Sequence, residues 1–295
     1  DVVPVESEQL QALPEGKEYR AVSRRAFEFT AERAGRLKQE RGTPSAERVK
    51  DAARELLGMP EPDGPPAYRC LCRGAYGEEE PPARFQFAVE TEPGIQAIIT
   101  TFGPDQGPMR LPSGDVGLYV GHVSGIEDVR EVEEVRRLAQ GNDPLAVVDP
   151  RGMGETVAQT CGVEEFFHPY GSDYLYASTG EMLGETYLGR RVFDVLRAMD
   201  FLLDGEAENV RLVGRGMGSV LAAFAALLHP CEPQVELMDY LPSYELIATT
   251  PMHSWPLSSL LRGCLTRFDL PDLYSALGER LTARRPWDAR MEPSS

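Results

Sequence analysis

The stretch that most constrains this chain runs from Asn209 to Ala222 and reads NVRLVGRGMGSVLA. An apolar run of strand character, Val210 to Val213, leads into glycines at the alternate positions 214, 216 and 218. An apolar helix-forming run, Ser219 to Leu228, follows directly. Small residues at that spacing allow a sharp strand-to-helix turn in which the helix packs closely on the strand, because no β-carbon blocks the approach.

From Val116 onward the chain repeats this alternation. The apolar run Val116 to Val123 precedes a charged amphipathic helix, Gly125 to Gln140, and a second apolar run, Leu145 to Val148, ends in Asp149-Pro150-Arg151-Gly152. A helix around Leu188 to Leu203, the strand Val210 to Val213, the helix Ser219 to Leu228 and a strand Val235 to Met238 come next, and Phe268 to Leu273 reads as a turn into a short helix. This order predicts an α/β fold with a mostly parallel central sheet and helices on both faces. In such sheets chemistry gathers at the carboxyl edge of the strands.

Upstream, Tyr68 to Cys72, Arg84 to Thr91 and Gly94 to Phe102 read as short strands separated by Pro and Gly turns. Residues 1 to about 60 are charged and helical in character. Thr43-Pro44 predicts the start of a helix with Val49, Ala52, Ala53, Leu56 and Leu57 on one face, closed by Gly58 and Pro60. The breaker EPDGPP, Glu61 to Pro66, divides an N-terminal helical extension, residues 1–66, from a core, residues 67–295.

Charge narrows the partners. With 30 Lys and Arg against 47 Asp and Glu, the formal net charge of −17 opposes any affinity that depends on neutralising phosphates, so nucleic acid and anionic membrane surfaces are not expected partners. The longest apolar stretch, Val220 to Leu228, is far short of the roughly 20 residues a spanning helix needs. The sequence starts at Asp1 without a methionine, as a processed or trimmed product would, which leaves the compartment open to export. Cys70, Cys72, Cys161, Cys231 and Cys264 form neither a disulfide framework nor a zinc-type pairing, and are expected to be mainly buried thiols; no metal or cofactor is expected.

In this setting the chain resembles the α/β-hydrolase superfamily, in particular its acetylxylan-esterase-like branch of carbohydrate esterases. The resemblance rests on the glycine turn, on FAVETEPGI from Phe87 to Ile95, on LYVGHVS from Leu118 to Ser124 at the place of the oxyanion loop, on DPRGMGET from Asp149 to Thr156, and on Tyr187 to Leu203, the helix leading into the elbow strand; it covers roughly residues 84 to 290. It implies an α/β-hydrolase fold whose nucleophile elbow, Gly-x-Ser-x-Gly, corresponds here to Gly214, Arg215, Gly216, Met217 and Gly218. It further implies Gly216 at the nucleophile position, the N–H of Met217 as a remnant oxyanion donor, Gly218 beside it, and Asp288 as a remnant acid, with Asp239 as the second candidate. His122, Asp149 and Arg151 are placed at the pocket, with a loop-anchoring role favoured for Arg151.

The departures from the family pattern bear on activity. Glycine has no side chain with which to attack, and no histidine follows Asp288 in the sequence given. Ser219, three positions past the apex, belongs to the first turn of the helix. The other histidines, His168, His229 and His253, fall outside the family's motifs, and a pocket role is favoured over a general-base role for His122. The aromatic cluster Phe166, Phe167, Tyr170, Tyr174 and Tyr176 packs an insertion or stacks a sugar. Glu127, Asp128, Glu131, Glu133 and Glu134, interleaved with Arg130, Arg136 and Arg137, read as a solvated helix face.

Two functional classes and a third alternative follow. One is an esterase-like α/β hydrolase, descended from enzymes that remove acetyl or similar groups from carbohydrates, a pseudoenzyme with its activity lost or one with activity carried by an unusual arrangement. Another is a non-catalytic binding or structural protein that uses the retained pocket or the N-terminal helices. The third is a nucleotide-cofactor site at Gly214, Gly216 and Gly218, with Glu236 and Asp239 about 20 residues on; Ser219 stands where that fingerprint takes Gly or Ala.

Overall fold

The computed structural model describes residues 24–73, 85–103, 111–158, 170 and 172–294. Two helices, α1 (Ala26–Arg41) and α2 (Ala46–Leu57), precede the strands β1 (Tyr68–Arg73), β2 (Phe85–Glu92), β3 (Ile95–Phe102) and β4 (Ser113–Val120). Then follow α3 (Gly125–Glu131), α4 (Glu133–Ala139), β5 (Leu145–Asp149), α5 (Asp173–Leu183), α6 (Tyr187–Leu203), β6 (Glu206–Arg215), α7 (Met217–Leu228), β7 (Val235–Met238), α8 (Tyr244–Thr249), α9 (Leu270–Leu277) and β8 (Leu281–Arg284).

Among the described residues these strands form one eight-stranded sheet in the order β1-β2-β3-β5-β4-β6-β7-β8. β1, β2 and β3 make an antiparallel meander, and β3 pairs antiparallel with β5. From β5 across to β8 every pairing is parallel. The connection from β4 leads to β5 on one side, whereas the chain leaving β5 crosses back to β6 on the other side of β4. The order reverses there, the place at which open sheets form a binding crevice outside the strands' carboxyl ends, here those of β4 and β6.

Burial follows from the strand period of two. Leu118, Val120, Ala146, Val148 and Leu212 point into the larger core with α2, α6, α7 and α9, while Tyr119, Leu145, Val147 and Val213 point to a smaller one under α3 and α4. α7 is buried along its whole length, from Met217 to Leu228. α2 contributes Val49, Ala52, Ala53 and Leu57 to the larger core, so the expected apolar face packs as read.

Three local readings are corrected. The helix expected over Gly125 to Gln140 is two helices, because extended Val132 (φ −96°, ψ 106°) interrupts it; the break allows Val129, Val132 and Val135 all to reach the smaller core. α2 starts at Ala46 and is capped by Ser45, whose Oγ accepts the Arg48 N–H at 3.4 Å, not by Thr43-Pro44. β6 begins at Glu206, well before its apolar run, because its backbone pairs with β4 from Ser113 onward.

Candidate functional site

The site is assembled at the crevice. β6 ends at Arg215, Gly216 takes φ 55° and ψ −121°, and α7 begins at the next residue. That conformation is strained for any residue with a side chain and accessible to glycine. The Gly216 N–H donates to the Met238 carbonyl at 3.1 Å, and the Ser219 N–H closes the turn on the Gly216 carbonyl at 3.0 Å. The flanking glycines serve packing: a β-carbon at Gly214 would press on Ser219 and Ala222, and one at Gly218 would overlap the backbone of Val120 and Gly121 in the neighbouring strand. Ser219 is fully buried, and its hydroxyl donates to the Gly216 carbonyl at 2.6 Å, within the turn.

His122 follows β4 across the crevice. The N–H of Met217 donates to its Nδ1 at 3.2 Å, and its ring fills the space that a β-carbon on Gly216 would need. Tyr170 and Trp287 meet the imidazole edge-on, with centroids 6.1 and 5.3 Å away. Burial, reinforced by the nearby Arg215 charge, pushes the His122 imidazole down to about 4. At neutral pH the ring is therefore uncharged, with Nδ1 accepting and the proton on Nε2.

An ion cluster lies behind the ring. Arg215 bridges Asp128 (Nη1 to Oδ1, 2.8 Å) and Asp239 (Nε to Oδ2, 2.7 Å), while Arg285 Nε holds the other Asp239 oxygen at 2.9 Å. Asp128 also accepts the Tyr119 hydroxyl at 2.8 Å and the His122 N–H at 3.0 Å. Burial raises the Asp128 carboxyl, although Arg215 and these donors oppose the rise. Asp239 and Arg285, at the ends of β7 and β8, both have positive φ, 50° and 53°. Strain of this kind in non-glycine residues collects where surrounding structure over-determines the backbone.

The solvated-face reading of the helical charges is corrected for two residues. Asp128 is buried under Arg215, and Glu134 pairs with Arg284 and Arg285. Sequence reasoning missed Arg215, Asp128 and Arg285 as site residues. The available signal was a lone arginine inside an otherwise apolar, glycine-rich turn.

The remaining pocket candidates are tied to the scaffold. Asp149 is buried at the end of β5 and accepts the Gly125 N–H at 3.0 Å and the Glu155 N–H at 3.1 Å. Burial raises its carboxyl to about 6 despite these bonds. The loop adjoins the His122 turn, since the Gly154 N–H donates to the Val123 carbonyl at 2.8 Å. Arg151 points away, gripping Asp194 through Nε (2.8 Å) and Nη2 (2.6 Å) and Glu92 at 2.6 Å. Fully buried Arg191 donates in turn to the Arg151 and Gly152 carbonyls and pairs with Asp173. Arg191 and Asp194 were concealed in the sequence by the apolar run of α6.

Asp288 spends Oδ1 on the N–H groups of Arg290 (2.7 Å) and Glu292 (3.0 Å), capping its own turn. Asp239 is thus the acid bonded to the residue before the apex. His253 Nδ1 donates locally to the Trp255 carbonyl, 3.0 Å away. Tyr174 and Tyr176 are exposed, whereas Phe166, Phe167, His168 and Cys161 lie outside the described residues. Cys264 is buried, but Cys231 is exposed, which corrects the expectation of mainly buried thiols at that position. Among the described residues no cluster of His, Cys, Asp and Glu is arranged to hold a metal ion, and no helix is long and apolar enough to cross a membrane.

No protein-family model and no curated protein matches the chain. Solved structures do. A Bacteroides fragilis protein assigned as an acetyl xylan esterase aligns over 81% of this chain and 67% of its own, with 14% identity and a TM-score of 0.62. The acetyl xylan esterase from Paenibacillus sp. R4 aligns over 88% of this chain and 94% of its own, with 13% identity and a TM-score of 0.50. At these identities the likeness is one of fold, and with the sheet order and the strand-to-helix elbow it makes this chain an α/β-hydrolase-fold protein related in architecture to the acetyl xylan esterases.

Proposed function

We propose that the chain is an esterase-like scaffold that has given up serine-hydrolase chemistry and retains the crevice between β4 and β6 for binding a carbohydrate or small ester. One observation carries the reading: the imidazole of His122 occupies the side-chain space of residue 216 and takes the Met217 N–H as its own hydrogen bond. An acyl-transfer site needs a nucleophile at that apex and a backbone N–H free to meet the developing oxyanion. Here the apex is glycine, the nearest hydroxyl is sealed inside the turn, and the donor is engaged by a neutral ring. Arg215, where it bridges Asp128 and Asp239, neutralises the carboxylate that would otherwise be available to orient a base.

The nucleotide-cofactor alternative draws no support from the turn. The N–H groups of Gly216, Met217 and Ser219 are all used internally, and Asp239 is held by two arginines. A phosphate cradle needs such amides open.

The experiment is hydrolysis of p-nitrophenyl acetate and acetylated xylan by the purified chain, beside Gly216→Ala and a catalytically inert protein. The expected result is turnover no greater than the inert control, with acetylated xylo-oligosaccharides raising the melting temperature, since a ligand that binds only the folded state stabilises it. Turnover well above the control would overturn the loss of chemistry. Absence of any thermal shift across the saccharide series would overturn the retained pocket.

A further inference from the structure

The opposite edge of the sheet carries a second group of reactive side chains. α7 ends at His229, and Pro230 and Cys231 follow. His229 Nδ1 lies 3.0 Å from Cys231 Sγ, and its Nε2 lies 3.2 Å from Asp200 Oδ1 on α6. The backbone N–H of Cys231 also donates to Nδ1, at 3.2 Å. A ring nitrogen that accepts an amide N–H is unprotonated, so the ring proton sits on Nε2 and faces Asp200.

Three further features accompany the group. His229 is buried while Cys231 is an exposed residue whose thiol is partly covered. Glu232, the next residue, holds a positive φ of 48°. Cys231 and Glu232 line a cavity of about 470 Å³ at the amino ends of β4 and β6, the far side of the sheet edge from Gly216. A thiol, a base in contact with it and a carboxylate orienting that base are the parts of an activated nucleophile.

We propose that Cys231, His229 and Asp200 form a second nucleophilic centre, in which the thiol captures a small uncharged or cationic carbon electrophile from this cavity. In the step, the Sγ–C bond forms as the bond from that carbon to its leaving group breaks. The thiol proton passes to the His229 Nδ1 lone pair, which releases the Cys231 N–H it accepts at rest, and the departing group takes the bonding pair. His229 touches the reacting sulfur; Asp200 acts through His229 as a positioning residue.

The charged surroundings favour this course. On α6, Arg197 pairs with Asp200 at 2.6 Å; below the loop, Arg280 donates to the carbonyls of Ala226 and Pro233; on the loop itself stands Glu232. Burial pushes the Cys231 thiol up, and the Asp200 charge adds to the rise, so the thiol is protonated at rest and depends on His229. The cavity wall carries Asp115, Asp143, Glu208 and Glu232 against Arg211. That balance repels anions.

The test is the pH profile of alkylation of the native full chain by iodoacetamide, read residue by residue by mass spectrometry, with iodoacetate in parallel. Cys231 is expected to show a limb of reactivity at neutral pH in addition to the alkaline limb of its thiolate. His229→Gln should remove the neutral limb, lowering the rate at pH 7 by about tenfold or more, the size of a modest general-base contribution. Asp200→Asn should shrink the neutral limb and leave the alkaline one.

Iodoacetamide should be preferred over iodoacetate by more than it is for N-acetylcysteine. A wild-type profile with only an alkaline limb would overturn the proposal even if His229→Gln did not fold. So would a His229→Gln rate within twofold of wild type. Equal use of the two reagents relative to N-acetylcysteine would overturn the electrophile class.

Discussion

His122 and Gly216 share one space: the imidazole after β4 lies where a side chain at the elbow apex would go, and the ring is fixed there by the Met217 N–H, 3.2 Å from Nδ1. The elbow backbone and its occupant are therefore mutually adapted. A serine placed at the apex would not by itself build a nucleophile, because its side chain and the imidazole cannot both be accommodated as the backbone stands.

Gly216→Ser is accordingly expected to turn over p-nitrophenyl acetate no faster than the wild-type chain and to lose stability. Positive φ adds about 1 to 3 kcal/mol and overpacking against His122 about as much again. Urea denaturation of Gly216→Ala, His122→Ala and the double variant checks this. The double variant should be less destabilised than the sum of the singles, since removing the ring relieves the clash; strict additivity would show that the ring and the apex do not compete.

His122 should stay neutral through the physiological range. With the folded group pushed down to about 4 from an ordinary value of 6.5, the unfolded chain binds the extra proton between those limits, so this residue's share of stability is present above 6.5 and is lost as pH falls toward 4. Nitrogen-detected NMR titration is expected to show an Nε2-protonated ring that does not titrate above pH 5. A midpoint near 6.5 would contradict the buried geometry.

Asp149 works in the opposite sense over much of the same window. Its folded value of about 6 stands above the ordinary 3.8, so the folded protein holds the extra proton and the contribution declines as pH rises from about 4 to 6. Asp149→Asn keeps one acceptor for two amides and should destabilise by about 1 to 3 kcal/mol. It should also make stability rise more steeply with pH between 4 and 6, as the His122 effect is left unopposed. Chemical denaturation at half-unit pH steps would show it; an unchanged slope would refute the assignment.

Arg215→Met should be among the more damaging single changes. It leaves buried Asp128 without its cation and buried Asp239 with Arg285 alone, at a cost of about 3 to 5 kcal/mol. The penalty should shrink at acidic pH, because burial raises the Asp128 carboxyl and its protonated form no longer needs a partner. Arg215→Lys should recover only part of it, because an ammonium cannot span both carboxylates as the planar guanidinium does. Denaturation at pH 7 and pH 5 tests both statements.

The sequence by itself determined the alternation of strands and helices, the sharp turn at Gly214, Gly216 and Gly218, the apolar face of α2 and the absence of a hydroxyl at the apex, because each depends on local period or on the lack of a β-carbon. Tertiary structure alone decided the rest. The antiparallel meander β1-β2-β3 beside a parallel sheet, the break at Val132, and the burial of Asp128 under Arg215 depend on partners distant in sequence, 87 positions away for that ion pair. His122 could be placed at a loop from its neighbours; that its ring fills the apex and takes the Met217 N–H follows only from β4 and β6 lying side by side. Charges on an amphipathic helix read as solvated because periodicity reports which face is apolar and is silent about the distant arginine that covers it.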